Sequence, residues 1–377
     1  MSSILALHNS HNSSVCEIKN DNIIYFQEAE RLDRNKKSSN WKILLEKYEG
    51  KNFDKIIFVN TFEHDKNVEE LVKTELSLKN IQCSKLIFEV NHHFFHACSA
   101  FFNSGFKNSF ALIIDGYGSS QLFKDKPKAA RPEGQVFEIV SLYYFYNNKF
   151  KEIFKVFESD KDYKRGKHIF LNTISLGNMY HIVKNVLGFK EEGSVMALSS
   201  YVQNKNISLN LFVENQYNHF TSVQNALVKL NIILNGYNKK NPQYLCKSVQ
   251  TRLEQIVLKY VSNIIKNKKR NLCVSGGVFQ NTVLNSKILD ICPNLYVDPF
   301  ADDSGLSMGA ALWYSNKNKN KKIDNLCLGD LPDYNNLPMN KGTRATPKEV
   351  AEFISKGNIV AIYQCKNELG KRALGNR

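Results

Sequence analysis

Two stretches of this chain repeat one order of short apolar strands and polar turns, and that repetition constrains the fold more than any other feature. In the first, apolar runs at residues 3–8, 14–19 and 23–27 are separated by a polar turn at 9–13 and by Asn20-Asp21-Asn22. In the second, the run at 110–115 ends in Gly116-Tyr117-Gly118. A polar, proline-bearing loop follows, and runs at 137–146 and 150–157 then flank Asn147-Asn148. The copies share pattern, not sequence. Three strands followed by helices, twice over, predict a duplicated α/β fold with two lobes and a cleft between them.

The remaining pattern fills in the helices. Leu253, Ile256, Val257, Tyr260, Val261, Ile264 and Ile265 make a 3.6-residue stripe, predicting a core-facing helix over 252–266. A second helix is expected over 172–187, closed by Gly188. Residues 272–275 read as a buried strand entering a Gly-Gly turn. The polar stretch 316–343, with prolines at 332 and 338, reads as a linker. Beyond it a helix is expected over 347–355 and a strand over 359–363. The expected division is a first lobe at 1–109, a second at 110–315, a linker at 316–345 and a last segment at 346–377.

Composition excludes several classes. With 42% apolar and 23% charged residues in 377, the chain is globular and not disordered. No apolar run approaches the ~18 residues of a membrane-spanning helix, so no membrane partner is expected. No basic leader precedes the first strand, so no signal peptide is expected. The eight cysteines are scattered without a Cys-x-x-Cys, which favours reduced thiols and a cytoplasmic location. Lys+Arg 51 against Asp+Glu 36 gives +15, which favours anionic partners. The lysines cluster in Asn/Lys-rich stretches at 266–270 and 316–322, which read as solvated surface. No nucleic-acid-binding signature accompanies them, so nucleic acid is not expected as a partner.

Four segments could carry chemistry. His92 and His96 are four residues apart and share a face if helical. Two imidazoles at that spacing suit a first-row transition metal once a carboxylate joins them. Asp115 ends an apolar strand, and Asp302 and Asp303 are further donors. The same spacing fits one core histidine and one surface histidine, and the residues alone leave both readings open. His93 is out of phase and is not expected to be a ligand. Gly276-Gly277, between a strand and a helix, suits either backbone approach to phosphate or a plain structural turn. The first loop, His8 to Ser14, holds no acid, which counts against Mg-ATP phosphotransfer; His11 fits a general base or a turn histidine. Lys371, Arg372 and Arg377 around two glycines fit an anion site or an ordinary basic tail.

These segments occur in a familiar order. The opening His11-Asn12-Ser13-Ser14, Gln27 to Arg34, Asn91-His-His-Phe-Phe-His-Ala-Cys-Ser-Ala100, Ile113-Ile-Asp-Gly-Tyr-Gly118 and Val195-Met-Ala-Leu198 come first. Ser275-Gly-Gly-Val278 with Asn281, Asp303-Ser-Gly305 and Gly370-Lys-Arg-Ala-Leu-Gly-Asn-Arg377 complete the series. Together they resemble the nodulation-protein-U / 3-hydroxymethylcephem carbamoyltransferase family of O-carbamoyltransferases, along the whole chain. Departures are Ser194 for lysine, Lys371 for proline, Leu369 for phenylalanine and Ser10 for glycine.

The resemblance implies a duplicated actin-like (ribonuclease-H-like) fold whose two lobes transfer a carbamoyl group to a hydroxyl. It implies carbamoyl phosphate and ATP as substrates, carbamoyl-adenylate as intermediate, and a divalent metal, Fe2+, as cofactor. The acceptor would be a small molecule, a sugar or natural-product hydroxyl, and oligomerisation is compatible with the sequence. Carried across, His92, His96, Asp115 and Asp303 are metal ligands. Gly276, Gly277 and Asn281 face the nucleotide, His11 lies near the transferring group, and Arg372 and Arg377 begin the carbamoyl-phosphate site. The family continues for another ~150–200 residues, so 346–377 is expected to be the truncated start of a second module. That would leave this chain with the transfer half. The alternatives are an actin-like small-molecule kinase and an inactive nucleotide-binding remnant.

Overall fold

The computed structural model describes residues 2–61, 65–122, 135–159, 162–202, 241–266, 268–315, 321–331 and 342–372. Its strands β1 (Ser3–Asn9), β2 (Ser14–Lys19) and β3 (Asn22–Glu28) form an antiparallel meander. β4 (Asn52–Asn60) and β5 (Gln82–Glu89) join the other side of β1 in parallel, giving the order β3-β2-β1-β4-β5. The second sheet uses β6 (Asn108–Ile114), β8 (Gln135–Tyr146), β9 (Lys149–Glu158), β12 (Leu272–Ser275) and β13 (Leu295–Val297). Their order, β9-β8-β6-β12-β13, repeats the first with the same parallel and antiparallel senses. β7 (Ser120–Leu122) pairs with β8, and β10 (Tyr163–Arg165) and β11 (His168–Leu171) extend the sheet beyond β9. The duplicated actin-like fold is thus written in the strand order itself.

The central strands are apolar throughout because both faces are covered. The two-residue period sorts each strand's side chains between two cores. On β1, Leu5 and Leu7 join Trp41 and Tyr48, while Ile4 and Ala6 join Phe95 and Met308. On β6, Leu112 and Ile114 pack with Val249 and Val257, while Ala111 and Ile113 pack with Phe101 and Phe145.

Two helices, His92–Ser104 and Gly305–Tyr314, lie between the sheets and position the site. The first packs on β6 and β12, although it falls within residues 1–109; the second packs on β1 and β2, although it falls within 110–315. The expected boundary at 109/110 falls inside β6, and each of these two helices packs on the sheet built mainly from the other stretch of sequence. Apolar periodicity marks a helix as buried but carries no information on which sheet covers it. The helices cross at Gly309, where a Cβ would stand 1.9 Å from Phe95 O. No side chain fits there, so the crossing fixes the backbone turn between His92 and His96.

Several boundaries differ from expectation. The stripe over 252–266 belongs to a longer helix, Pro242–Ile265, which starts with proline in its first turn and continues the apolar face through Leu245, Cys246 and Val249. The helix expected from 172 begins at Leu176, because the Ser175 hydroxyl accepts from Asn178 N and caps it there. Residues 359–363 form no strand; Ile359, Ile362 and Tyr363 are exposed. Within the expected linker, 321–331 runs along the β3 edge: Phe26 N donates to Leu328 O (3.2 Å), and Ile323, Leu326 and Leu328 pack on the core. Polar composition hid these three anchors.

The last segment also docks. Leu369 is fully buried beside Phe26 and Phe300, which stabilises the chain by on the order of 2 kcal/mol. Gly370, at φ +95°, has Pro299 O where a Cβ would stand, and its N–H donates to Glu28 (3.2 Å). Among the described residues, no helix is long and apolar enough to cross a membrane.

Candidate metal centre

The carboxyl ends of β6, β12 and β13 and the loop after β1 converge on one point, the usual place for ligands in open α/β sheets. His92 and His96 reach it from the first turns of their helix, Asp115 from the residue after β6, and Asp303 from the turn before Gly305–Tyr314. One donor atom from each lies within 4.8 Å of all the others. The two Nε2 atoms are 3.2 Å apart. Asp115 Oδ2 is 3.3 Å from His96 Nε2 and 3.5 Å from His92 Nε2; Asp303 Oδ1 is 3.5 Å from His92 Nε2 and 3.7 Å from His96 Nε2.

Two observations favour a cation at this point over a plain core histidine pair. Asp115 Oδ2 is buried without a hydrogen bond, a costly state unless a positive charge faces it. The second concerns protons. Ser275 Oγ donates to Asp298 Oδ2 (3.0 Å) and lies 3.3 Å from His96 Nδ1. A hydroxyl has one proton, so with Asp298 ionised it is His96 Nδ1–H that donates to Ser275. Nε2 then presents a lone pair to the cluster, the tautomer a metal ligand needs. Two imidazoles and two carboxylates suit a first-row divalent ion.

The electrostatics agree. Burial disfavours a charged His92, but the negative charges of Asp303 and Asp115 outweigh it and push His92 up to about 10; His96 is raised by the same partners. Burial likewise opposes ionised Asp115, and the two histidines overcome it to hold the carboxyl well below its ordinary range. Without a metal, protons on the imidazoles balance the two carboxylates, and a divalent ion would replace them.

The adjacent acids are sorted by their partners. Asp303 faces the cluster, whereas Asp302 accepts from the Ser304 hydroxyl (2.5 Å) and pairs with Lys371 Nζ (3.0 Å). Burial lowers Lys371, but Asp302, Glu28 and Glu30 more than compensate and raise it. His93 faces away; its Nδ1 lies 2.7 Å from Ser141 Oγ, and burial keeps the ring neutral. His11 stands at the mouth, 57% exposed, with Nε2 3.3 Å from Asp303 Oδ2. His8, buried behind it, lies 2.8 Å from Thr61 Oγ1 and is lowered by burial to about 3.

The glycine turn borders the centre. Gly276, at φ +98°, approaches Ile114 O so closely that a Cβ would stand 2.4 Å away, which is a backbone requirement. At Gly277 a Cβ would stand 3.0 Å from Asp115 Oδ1. Asn281 is engaged structurally: its Oδ1 caps the Thr282–Ile291 helix through Leu284 N (3.0 Å), and its Nδ2 donates to Gln250 (2.8 Å). Arg372 is exposed and donates to Gln280 O (2.6 Å), bridging the last segment to the glycine turn. Arg377 lies outside the described residues. Sequence reading missed Ser275, Asp298 and Asn12 as parts of the site. A serine directly before the Gly-Gly pair and an aspartate ending a short apolar run were the signals present.

Comparison with known proteins places the chain in a family. An uncharacterised protein of Methanocaldococcus jannaschii is 26% identical over 76% of this chain, and the chain spans 50% of that protein. A second from the same organism is 26% identical, covering 99% of this chain and 72% of the relative. Nodulation protein NolNO of Sinorhizobium fredii is 28% identical over 76% of this chain and 42% of its own length. The family model described as Carbamoyltransferase N-terminus matches residues 43–312, a stretch containing His92, His96, Asp115, the Gly276-Gly277 turn and Asp303, and the chain accordingly belongs to the carbamoyltransferase family.

Proposed function

We propose that this chain carries out O-carbamoyl transfer, moving a carbamoyl group from carbamoyl-adenylate, made from carbamoyl phosphate and ATP, to the hydroxyl of a sugar or natural product. The observation that carries the reading is the convergence of His92, His96, Asp115 and Asp303 beside the Gly276-Gly277 turn, with His11 at the mouth. The four residues would hold a divalent ion, Fe2+ in this reading. Bound there, it supplies Lewis-acid polarisation of the carbamoyl oxygen.

The chain's own groups account for the rest. The acceptor oxygen forms a bond to the carbamoyl carbon, and the bond from that carbon to the adenylate phosphate oxygen breaks. Backbone N–H groups of the turn at Gly277 stabilise the charge on departing AMP. The hydroxyl proton passes to His11, the exposed imidazole at the mouth. Burial of His92, His96 and Asp303 keeps water from most of the centre and strengthens every charge interaction within it.

The test supplies pre-formed carbamoyl-adenylate and a panel of sugar hydroxyls to the purified chain. Acceptor-dependent AMP release, with a carbamoylated product by mass spectrometry, is expected, and His96→Ala should lose it together with bound metal. Phosphorylation of an acceptor from ATP, with no carbamoylated product, would replace this reading with a kinase.

A further inference from the structure

Lys371 Nζ has three hydrogens and three oxygen neighbours: Asn12 Oδ1 at 3.0 Å, Asp302 Oδ2 at 3.0 Å and Glu30 Oε2 at 3.4 Å. It is mostly buried, and Asn12 is 5% exposed. An ammonium only donates, so the Asn12 atom facing it must be the carbonyl oxygen. The other end of the same carboxamide, Nδ2, then faces His11 Nδ1 at 3.2 Å. An amide nitrogen also only donates, which makes His11 Nδ1 the acceptor. The single proton of neutral His11 therefore sits on Nε2, aimed at Asp303 Oδ2, 3.3 Å away.

We infer that Lys371 is a positioning residue for His11: it turns the Asn12 carboxamide so that Nδ2–H donates to His11 Nδ1, leaving Nε2–H on Asp303. The residue that does this comes from the docked end of the chain, held by Leu369 and Gly370 more than 350 positions after His11. Its consequence for chemistry concerns which nitrogen is basic. An incoming hydroxyl that displaces the Asn12 amide delivers its proton to Nδ1. The imidazolium so formed keeps its Nε2–H on Asp303, which steadies the positive ring as carboxylates steady catalytic histidines elsewhere. That consequence rests on the carbamoyl-transfer reading; the hydrogen-bond chain itself does not.

Nitrogen-15 correlation spectra of histidine-labelled full chain, loaded with zinc and recorded at about pH 9, above the ordinary imidazole range, read the arrangement without any substrate. His11 is assigned by its loss in His11→Asn. In the wild type we expect a protonated Nε2 and an unprotonated, hydrogen-bonded Nδ1. In Lys371→Met the Nδ1 resonance should move toward that of an unbonded pyridine-type nitrogen, and Lys371→Arg, which restores donors, should bring it back. Asn12→Asp, which presents only acceptors, should place a proton on Nδ1. Wild-type protonation at Nδ1, an unchanged Nδ1 signal in folded Lys371→Met, or an unprotonated Nδ1 in Asn12→Asp would each overturn the inference. A failed transfer assay with these spectra intact would remove the proposed reaction and leave the positioning role standing.

Discussion

His96 Nδ1 lies 3.3 Å from Ser275 Oγ, and the only proton of that hydroxyl is committed to Asp298. Ser275 thereby works as a fixed acceptor behind the imidazole that faces the candidate metal site. Ser275→Ala removes it without touching any of the four candidate ligands. Partners of this kind typically change metal affinity by roughly 10–100-fold, and a loss of that size is expected by metal titration. Leaving Asp298 Oδ2 with one bond fewer should cost about 1–3 kcal/mol in denaturant unfolding. Undiminished metal affinity in this variant would mean that His96 is not held as a ligand.

Asp298 gives a pH dependence of known sign. Burial pushes its carboxyl up to about 6, and the nearby Ser99 hydroxyl and the hydrogen bonds from Phe300 N and Ser275 only partly offset that. The native state therefore holds this proton more tightly than the unfolded chain, whose value is about 3.9. The stability it contributes is fully present below about pH 4 and is lost as pH rises through about 6. Asp298→Asn has no such term. The stability of metal-free wild type relative to Asp298→Asn should fall from pH 4 to 7 by on the order of 3 kcal/mol. A flat difference in paired urea titrations would contradict the buried, raised carboxyl.

β1 to β3, β6, β8, β9 and β12 were legible in the sequence as apolar runs bounded by polar or glycine-containing turns, whereas β4, β5 and β13 were not read. His92 and His96 were legible as a pair by helical spacing alone. Asp115 was one donor among several until the fold closed the distance, and spacing could not separate Asp302 from Asp303. What separates them is Lys371, which takes Asp302 from 69 residues further along. Contacts of that range leave no periodic trace. The same holds for the Ser275–Asp298 link and for the edge pairing of 321–331, whose polar composition imitates a linker.

Gly309 tests whether the helix crossing builds the centre. Its missing side chain admits Phe95 O, midway along the turn that carries His92 and His96, and a Cβ would also meet Ser99 N at 3.0 Å. Neither neighbour is a flexible side-chain end, so the helices must part. Gly309→Ala should destabilise by at least about 1–3 kcal/mol and displace both imidazoles relative to Asp303. Metal binding should fall by more than tenfold at a temperature where the variant is still folded by circular dichroism. Retention of full metal content would show that the ligand geometry does not depend on this crossing.

The two glycines of the turn answer different questions, and substituting each with alanine separates them. At Gly276 the backbone has φ +98° and an added methyl would strike Ile114 O, so Gly276→Ala should compromise folding itself, by on the order of 1–3 kcal/mol for the strained backbone alone. At Gly277 the methyl would meet the Asp115 carboxylate oxygen that accepts from Gly116 N, at 3.0 Å, with no left-handed backbone to strain. Gly277→Ala should therefore fold, with a melting temperature within a few degrees of wild type, and still bind metal more weakly because Asp115 must give way. If backbone N–H groups of this turn also receive phosphate, adenine-nucleotide affinity in calorimetry should fall in the same variant, and fall further in Gly277→Val. Weakened metal binding with unchanged nucleotide affinity would confine the turn to supporting Asp115. Unchanged affinity for both would make Gly277 a plain structural turn residue, with Gly276 alone required by the fold.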